Sequence, residues 1–565
     1  MNDQQKQAVE SPHRNTLVVA TPGSGKTMVL VERINHLLDS GEDPQGIVAI
    51  TFTNAAAGEM VHRLAAGRNG AESQRLGYVG TLHGWLFRLL CNDAARELAG
   101  ILAPPTIIDE ETAEELMDGV KKRLGYKGTK TALKDALRHY PARSKPPKPE
   151  ELVASEFRAM CARTGMLDFD TLLDAGRDLV KIAPVELVPV THLLVDEAQD
   201  SSVTDWEIYD AVCAKTKFVV GDPDQSIYAF RGAKVVLFMA HFNHSNWHVI
   251  KLERNYRCRK SICDAARKVI EQNKDRAQQN MIAEHDGGTV EIRTFKQRDG
   301  EDVAVQVELA EMDSEETAAI LVRTNVQVQR WSAMLTESGI PHAVRKDRVF
   351  PEDWRRTKML LAVMANPSNN DLTVRYLTHA GKSYRDITAA RLAASRNGTT
   401  LAGASGICVD GGQFTPHYAA AVVKAHGCTA DSADIVGEIA STLPARATMG
   451  DLLISISNEE TKRVMAGDMH GVRVMTMHGA KGLEFDTVFL PESDESADGT
   501  KELSEEDRRL LYVAMTRAKT RLTVTHSLRG QNRAGREEDR KTLQFWNEKL
   551  CNPPGSGASP KPETL

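Results

Sequence analysis

The 565-residue sequence predicts an α/β protein with two cores, each a set of parallel strands flanked by helices and each carrying a mostly helical insertion. Three observations predict it. The stretch Leu17–Thr27 passes from an apolar run through a Gly-rich loop into a helix start, the layout of a phosphate-binding core. Strand–helix alternation occurs in two series, and each series lapses once. The length exceeds what one hydrophobic core organises and suggests roughly four domains.

The elements follow in order. Residues 2–9 read as a short helix, and after the Gly-rich loop a helix runs to about Leu38. Gly46–Thr53 (GIVAITFT) is apolar and β-branched, hence a strand, and Asn54 caps the Ala-rich helix behind it. Residues 81–98 are helical, and the helical pattern persists to about 175, broken by Pro141 and by Ser144–Pro149. Strands return at His192–Val195 and Lys217–Val220, so 91–175 reads as an insertion. The second series starts near Asn255, with strands near 289–294 and 318–323, and falters after Asn366–Asn370. Residues 371–465 are rich in Ala, Gly, Thr and Ser and read as weak helices and loops. Strands resume at Val472–Met477 and Thr487–Leu490, followed by a helix near 504–518 and a strand at 521–526. From about 529 the tail is basic and then Pro/Gly/Ser-rich, the composition of a disordered end.

Composition sets the class. At 41% hydrophobic and 26% charged, the chain is an ordinary globular protein. No apolar run approaches the ~20 residues of a membrane span, and the polar start Met1–Gln5 lacks signal-peptide order. A cytoplasmic location and no membrane partner are the expectations. Eight cysteines stand at 91, 161, 213, 258, 263, 408, 428 and 551, with no Cys-x-x-Cys pair, so reduced thiols are expected rather than zinc or iron–sulfur ligands. Net charge is −6, but residues 121–148 hold ten Lys/Arg against one acid, Asp135. That segment reads equally as a phosphate-contacting surface or a solvated basic face.

Three stretches carry chemistry. In Ala20-Thr21-Pro22-Gly23-Ser24-Gly25-Lys26-Thr27, glycines let the backbone approach phosphates closely. Lys26 is placed for the β- and γ-phosphates and the Thr27 hydroxyl for Mg²⁺. The first position of the pattern, ordinarily Gly, is Ala20. In Leu193–Asp200 (LLVDEAQD) a strand ends in two acids: Asp196 to hold Mg²⁺, and Glu197 to orient or deprotonate a water. Phe218–Gly232 (FVVGDPDQSIYAFRG) ends a strand in a polar turn. There Gln225 can sense a γ-phosphate, Tyr228 and Phe230 can stack on bases, and Arg231 follows.

Motifs in this order across almost the whole chain resemble the UvrD/Rep-type DNA helicases of superfamily 1A. The resemblance rests on these stretches and on Asn2-x-x-Gln5-x-x-Ala8-Val9, Thr51–Met60, Gly80–Gly84, Leu167–Leu173, Leu252–Arg257, Val474–Asp486 and Glu506–Ala518. It implies two RecA-like cores, ATP and Mg²⁺ as cofactors, and 3′→5′ movement on single-stranded DNA with duplex unwinding. Gln5 would read adenine, Tyr256 would stack on it, Arg257 would be the arginine finger, and Arg517 would contact the γ-phosphate. Glu484 falls among the nucleotide contacts. Phe52, Thr53, Asn54, Thr81, His83, Tyr228, Phe230, Arg231, Thr476 and His478 fall among the DNA contacts. Expected partners are single-stranded DNA, single/double-strand junctions, and repair or replication proteins, with the protein itself a monomer or, as the alternative, an oligomer.

By the same resemblance the chain divides into a first core (1–90 and 176–254), a helical insertion (91–175), a second core (255–370 and 466–528), a reduced accessory insertion (371–465) and a tail (529–565). Several positions depart from the family. Met28 stands where Arg packs on the adenine, Ala55 and Gly58 stand where basic residues are common, and Phe230 stands where Trp is frequent. The 491–505 loop is short and acidic. The small 371–465 insertion favours, as the alternative activity, a translocase that displaces bound proteins and unwinds weakly.

Overall fold

A computed structural model of the chain describes residues 1–67, 69, 75–108, 110–138, 147–274, 276–277, 279–313, 315–344, 351–407, 416–441, 449, 452–453, 455–456, 471–492, 503–531 and 537–539. The side chains of Asn54 and Arg231, the 139–146 part of the basic segment, and the tail beyond 539 lie outside this description.

The first sheet consists of β1 (Asn15–Ala20), β2 (Ile47–Thr51) and β3 (Tyr78–Thr81), and of three strands that return after an insertion. Among the described residues, the insertion is helical apart from a two-residue pair, β4 (Thr106–Ile107) with β5 (Met166–Leu167), and loops. The returning strands are β6 (His192–Val195), β7 (Thr216–Gly221) and β8 (His248–Leu252). Their order is β3-β2-β6-β7-β1-β8, parallel throughout. All five residues of β2 are buried, as a parallel strand covered by helices on both faces requires. Strand β8 closes the sheet beside β1 and was not separable by pattern from the stretch that follows it.

A short parallel pair, β9 (Arg254–Arg259) with β10 (Ile282–His285), leads out of the first sheet. The second sheet then contains β11 (Thr289–Phe295), β12 (Ala318–Val322), β13 (His342–Val344), β14 (Val472–Thr476), β15 (Phe485–Leu490) and β16 (Ala518–Ser527). Its order is β11-β16-β15-β12-β14-β13, again parallel. An antiparallel pair, β17 (Arg529–Gln531) with β18 (Glu537–Asp539), follows.

Local chemistry sets the element ends. The Ala-rich helix Asn54–Ala66 is capped by Thr53, whose hydroxyl accepts from the Ala56 N–H at 3.2 Å. Asn54, expected as the cap, is the first helical residue: Thr53 has the extended backbone a cap needs. The helix Pro149–Thr164 begins at the last proline of the Ser144–Pro149 break, where the missing N–H costs nothing.

The region expected to be weakly structured holds helices at Asn370–His379, Tyr384–Asn397, Pro416–Ala425 and Ala430–Ser441. The helix Trp354–Ala365 packs with them, and Asp353 accepts from Thr429 and Ser432 of the same group. One apolar cluster runs from the first sheet (Leu17, Val48) through the first insertion (Phe157, Leu167) to the second (Leu360, Tyr376, Val436). The seam between the insertions includes two buried amides. Asn366 Nδ2 donates to the Pro104 carbonyl at 2.8 Å and Asn369 Nδ2 to the Thr164 carbonyl at 2.9 Å.

Candidate functional site

Five strands of the first sheet deliver chemistry-bearing residues at their C-terminal ends. The Gly-rich loop follows β1, Phe52 and Thr53 follow β2, His83 follows β3, Asp196 and Glu197 follow β6, and Asp222 to Gln225 follow β7. This is where open parallel sheets place ligands.

The loop has phosphate-binding geometry. Gly23 and Gly25 have φ of 64° and 85°, a left-handed region that strains other residues. A Cβ on Gly23 would lie 2.7 Å from the Cβ of Arg257, so this glycine also makes room for the second core. The helix Lys26–Asp39 has no side-chain cap at Gly25, which leaves its first N–H groups for an anion. Lys26 Nζ donates to the Ala20 carbonyl at 3.3 Å.

The N-terminal segment is tied to this loop. Gln5 Oε1 accepts from the Asn2 N–H at 2.8 Å, and Gln5 Nε2 donates to the Ser24 carbonyl at 3.0 Å. Asn2 Nδ2 donates to the Tyr256 hydroxyl at 2.9 Å, and the Tyr256 N–H to the Gly23 carbonyl at 2.9 Å. Gln5, the loop and Tyr256, separate in sequence, thus form one wall.

The acid pair sits in a dense polar network. Glu197 has φ of 50°, a strained conformation for a non-glycine residue and one concentrated at functional sites. Burial and the adjacent Glu197 push the Asp196 carboxyl up to about 7. Burial also acts on Glu197, but Lys26, Lys481, Gln199 and Arg517 outweigh it and hold that carboxyl at about 2. The pair is therefore differentiated: one acid poised, the other firmly ionised. Gln199 donates to Glu197 at 2.5 Å and accepts from the Asp222 N–H at 2.9 Å. Gln225 donates to Asp222 at 2.6 Å.

Two arginines arrive from the second core's side. Arg517 is fully buried. Its Nη2 donates to Gln225 Oε1 at 3.3 Å and its Nε to the Val513 carbonyl at 2.9 Å. Burial and the neighbouring Arg257 lower it to about 9. Arg257, on β9, donates to Glu484 at 2.7 Å and to the Thr516 carbonyl at 3.4 Å. Glu484, predicted on the nucleotide, pairs with Arg257 and, at 3.2 Å, with Lys519.

Sequence reasoning missed four supports. Lys481 is buried and pairs with Asp200, donates to the Gln225 carbonyl at 3.1 Å, and lies 5.1 Å from the Tyr228 ring. Arg276 grips the buried Asp224 at 2.8 Å. Asn255 Oδ1 accepts from the N–H groups of Arg257 and Cys258, each at 2.8 Å. Gln199 is the fourth. Lys481, Asn255 and Gln199 lie inside the motif stretches, which was the available signal. Arg276 lies outside them and carries none.

Aromatic residues line up beside this network. Phe52 stacks on Tyr228 at 5.1 Å, Tyr228 meets Phe230 at 6.0 Å, and Phe230 meets His478 at 5.6 Å. The row crosses from the first core to the second, and Phe230 is 61% exposed. His83 meets Phe169 edge-on at 5.0 Å, and burial pushes its imidazole down. Thr53, Thr81 and Thr476 each accept from a backbone N–H, of Ala56, Gly84 and Gly479, which leaves each O–H to donate. In the basic segment, Lys121 pairs with Asp118 and Arg123 with Glu156.

The residues fit Mg²⁺. Among the described residues there is no cluster of three or more His, Cys, Asp or Glu that could hold a metal ion. A hydroxyl and one buried carboxylate suit Mg²⁺, which completes its shell with phosphate oxygens and water.

A glycine loop, a differentiated acid pair and two arginines supplied across a cleft define a nucleoside-triphosphate hydrolase with two cores. Comparison with known proteins narrows the class. Residues 1–245 match the UvrD/REP helicase N-terminal domain, and residues 250–401 and 440–529 match the UvrD-like helicase C-terminal domain. The chain belongs to the UvrD/Rep helicase family. It is 28% identical over 623 residues to the ATP-dependent DNA helicase PcrA of Leuconostoc citreum, covering 93% of this chain and 82% of the relative. It is also 28% identical to the proteins of that name from Staphylococcus aureus and Staphylococcus epidermidis, covering 93% of this chain and 83% of each. No helix among the described residues is long and apolar enough to cross a membrane.

Proposed function

We propose that the protein is an ATP-dependent DNA helicase that moves 3′→5′ along single-stranded DNA and unwinds duplex, with ATP hydrolysis coupled to closure of its two cores. One observation carries this: Arg517 and Arg257 reach the wall built by Gly23 and Gln225 from segments more than two hundred residues away.

The phosphates lie on the loop Ala20–Thr27, with Lys26 turning from the Ala20 carbonyl to the β- and γ-oxygens. Thr27 and Asp196 would hold Mg²⁺, which would supply charge neutralisation on those oxygens. Glu197 orients the attacking water, its ionised carboxylate accepting a hydrogen bond from it. Arg257 and Arg517 stabilise charge on the γ-phosphoryl, and Gln225 relays that state to Tyr228. Gln5, Met28 and Tyr256 surround the adenine. Met28 offers no directional donor, so base selectivity rests on stacking and on Gln5.

Single-stranded DNA runs over Phe52, Tyr228, Phe230 and His478, with Thr53, Asn54, Thr81, His83, Arg231 and Thr476 beside it. Closure shortens the distance between the grips of the two cores, and release lengthens it, which moves the strand. The domain division set out above applies, with the helix Trp354–Ala365 grouped with the accessory insertion on which it packs. Junctions, repair or replication proteins as partners, and a monomeric, cytoplasmic protein complete the reading.

The test uses duplexes with 3′ or 5′ single-stranded tails. ATPase stimulated by single-stranded DNA, with displacement from 3′-tailed duplexes only, is the expected outcome. Displacement from 5′ tails alone reverses the polarity. Removal of a bound protein without strand displacement supports the translocase instead, for which the small accessory insertion speaks.

A further inference from the structure

We propose that Gln279 is a positioning residue for ATP hydrolysis: through Asp222 it fixes the side-chain amide of Gln225 so that the amide oxygen meets Arg517. This role rests on the function proposed above, and it belongs to a residue outside every motif stretch.

Gln279 lies in the connector between the helix Lys260–Ile270 and β10. The connector is held along the helix Glu505–Met515, which ends two residues before Arg517. Asn273 Nδ2 donates to the Glu505 carbonyl at 3.0 Å, and Asn273 Oδ1 accepts from Arg508 Nε at 2.6 Å. The Lys274 N–H donates to the Glu505 carboxylate at 2.9 Å. Met281 Sδ accepts from the Tyr512 hydroxyl at 3.7 Å. The same connector grips the polar turn of the first core. Arg276 forks onto Asp224, with Nε at 3.1 Å and Nη2 at 2.8 Å from Oδ2. Gln279 Nε2 donates to Asp222 Oδ1 at 2.7 Å. Gln279 is buried, and Asp222 and Asp224 are fully so.

An ionised carboxylate only accepts, whereas a primary amide both donates and accepts. Asp222 therefore decides which way Gln225 points. Its Oδ2 accepts from Gln225 Nε2 at 2.6 Å, which leaves Gln225 Oε1 to accept from Arg517 Nη2 at 3.3 Å. Its Oδ1 accepts from Gln279 Nε2 and, at 3.1 Å, from the Asp224 N–H. The Asp224 N–H belongs to the turn itself, so Gln279 is the donor that ties Asp222 to the connector. The contacts close a ring: Arg517, Gln225, Asp222, Gln279, Met281 and Tyr512, then back along the helix to Arg517.

Packing alone does not account for a glutamine in this place. Gln279 Oε1 is buried with no hydrogen-bond partner among the described residues, and an unpaired buried oxygen is unfavourable. The amide is tolerated for its donor. Without that donor Asp222 loses its hold on the connector, and the Gln225 oxygen drifts from the arginine. A catalytic group misplaced by about 1 Å costs on the order of 100-fold in rate.

The full chain and its variants are compared by DNA-stimulated phosphate release at varied ATP and by urea unfolding. Gln279→Met, close in shape and without the donor, should lower kcat about tenfold and leave the KM for ATP within about twofold. Its urea midpoint should match that of the wild type, because the lost donor and the lost unpaired oxygen offset each other. Gln279→Asn, one methylene too short to reach Asp222, should show the same kinetics and takes the place of Gln279→Met if that chain does not fold. Gln279→Lys, which offers Asp222 an ammonium donor, should hold kcat within about threefold of wild type. Combined with Gln225→Ala, Gln279→Met should add no further loss, since the two residues act in series. Wild-type kcat in Gln279→Met, a lysine variant as slow as the methionine one, or additive losses in the double variant would overturn the role of Gln279 and leave the helicase reading intact. A wild-type chain without ATPase would overturn the helicase reading and this role with it.

Discussion

Lys26 is the residue on which the nucleotide chemistry turns. It is the cation at the loop, and it helps to hold Glu197 ionised. Lys26→Ala should lower kcat for ATP about 10²–10³-fold, the scale for one lost transition-state donor. Single-strand binding should stay within about threefold, because the aromatic row does not contain Lys26. Phosphate release and fluorescence anisotropy read the two effects; normal turnover would remove the loop from the active site. Glu197 shows how a residue becomes functional beyond its identity. The motif supplied a carboxylate, and four polar neighbours, Lys26, Lys481, Gln199 and Arg517, hold it ionised.

At the scale of elements, the site is an arrangement of strand ends. The first sheet places the loop, the acids and the polar turn side by side because β7 lies between β6 and β1. Residues 477–484 run from the C-terminal end of β14 back to the start of β15, and carry Lys481 and Glu484 past the first core on the way. The aromatic row also depends on elements from both cores. Phe230→Ala removes its most exposed ring and breaks the link from Tyr228 to His478. It should weaken single-strand binding by about 1–3 kcal/mol, the scale of one base–aromatic stack, while leaving DNA-free ATPase within about twofold. An isothermal titration with a short oligonucleotide decides it; unchanged affinity would take the DNA path elsewhere.

At the scale of the whole molecule, the two insertions share a seam. Asn369 both caps the helix Asn370–His379, accepting from the Leu372 N–H at 3.0 Å, and donates across to Thr164. Asn366→Leu removes the side-chain donor from the Pro104 carbonyl. Losing one such hydrogen bond costs about 0.5–1.5 kcal/mol, so the midpoint of urea unfolding should fall. The DNA-free ATPase should be preserved, since the seam lies away from the Gly-rich loop. A chain of unchanged stability would show that the seam bears no load.

The local chemistry was legible in the sequence. The glycine loop, the acid pair at a strand end and the order of motifs are short-range patterns, and strand–helix periodicity located most elements to within a few residues. What the tertiary structure decided is long-range. Sequence could name Arg257 and Arg517 by resemblance, but only folding sets Arg517 against Gln225 and Arg257 against Gly23. Lys481 looked like an ordinary motif lysine until Asp200, about 280 residues earlier in the chain, became its partner. Arg276 carried no pattern, because an ion pair to a buried Asp224 depends on spatial neighbours and not on spacing. The accessory insertion read as weak because Ala, Gly, Thr and Ser signal little by themselves; its helices are sustained by apolar contacts shared with the first insertion. Phosphate chemistry requires particular residue types at fixed local spacing, so sequence determines it. Cleft completion, pKa differentiation and interdomain packing depend on distances between remote residues, so only the folded chain decides them.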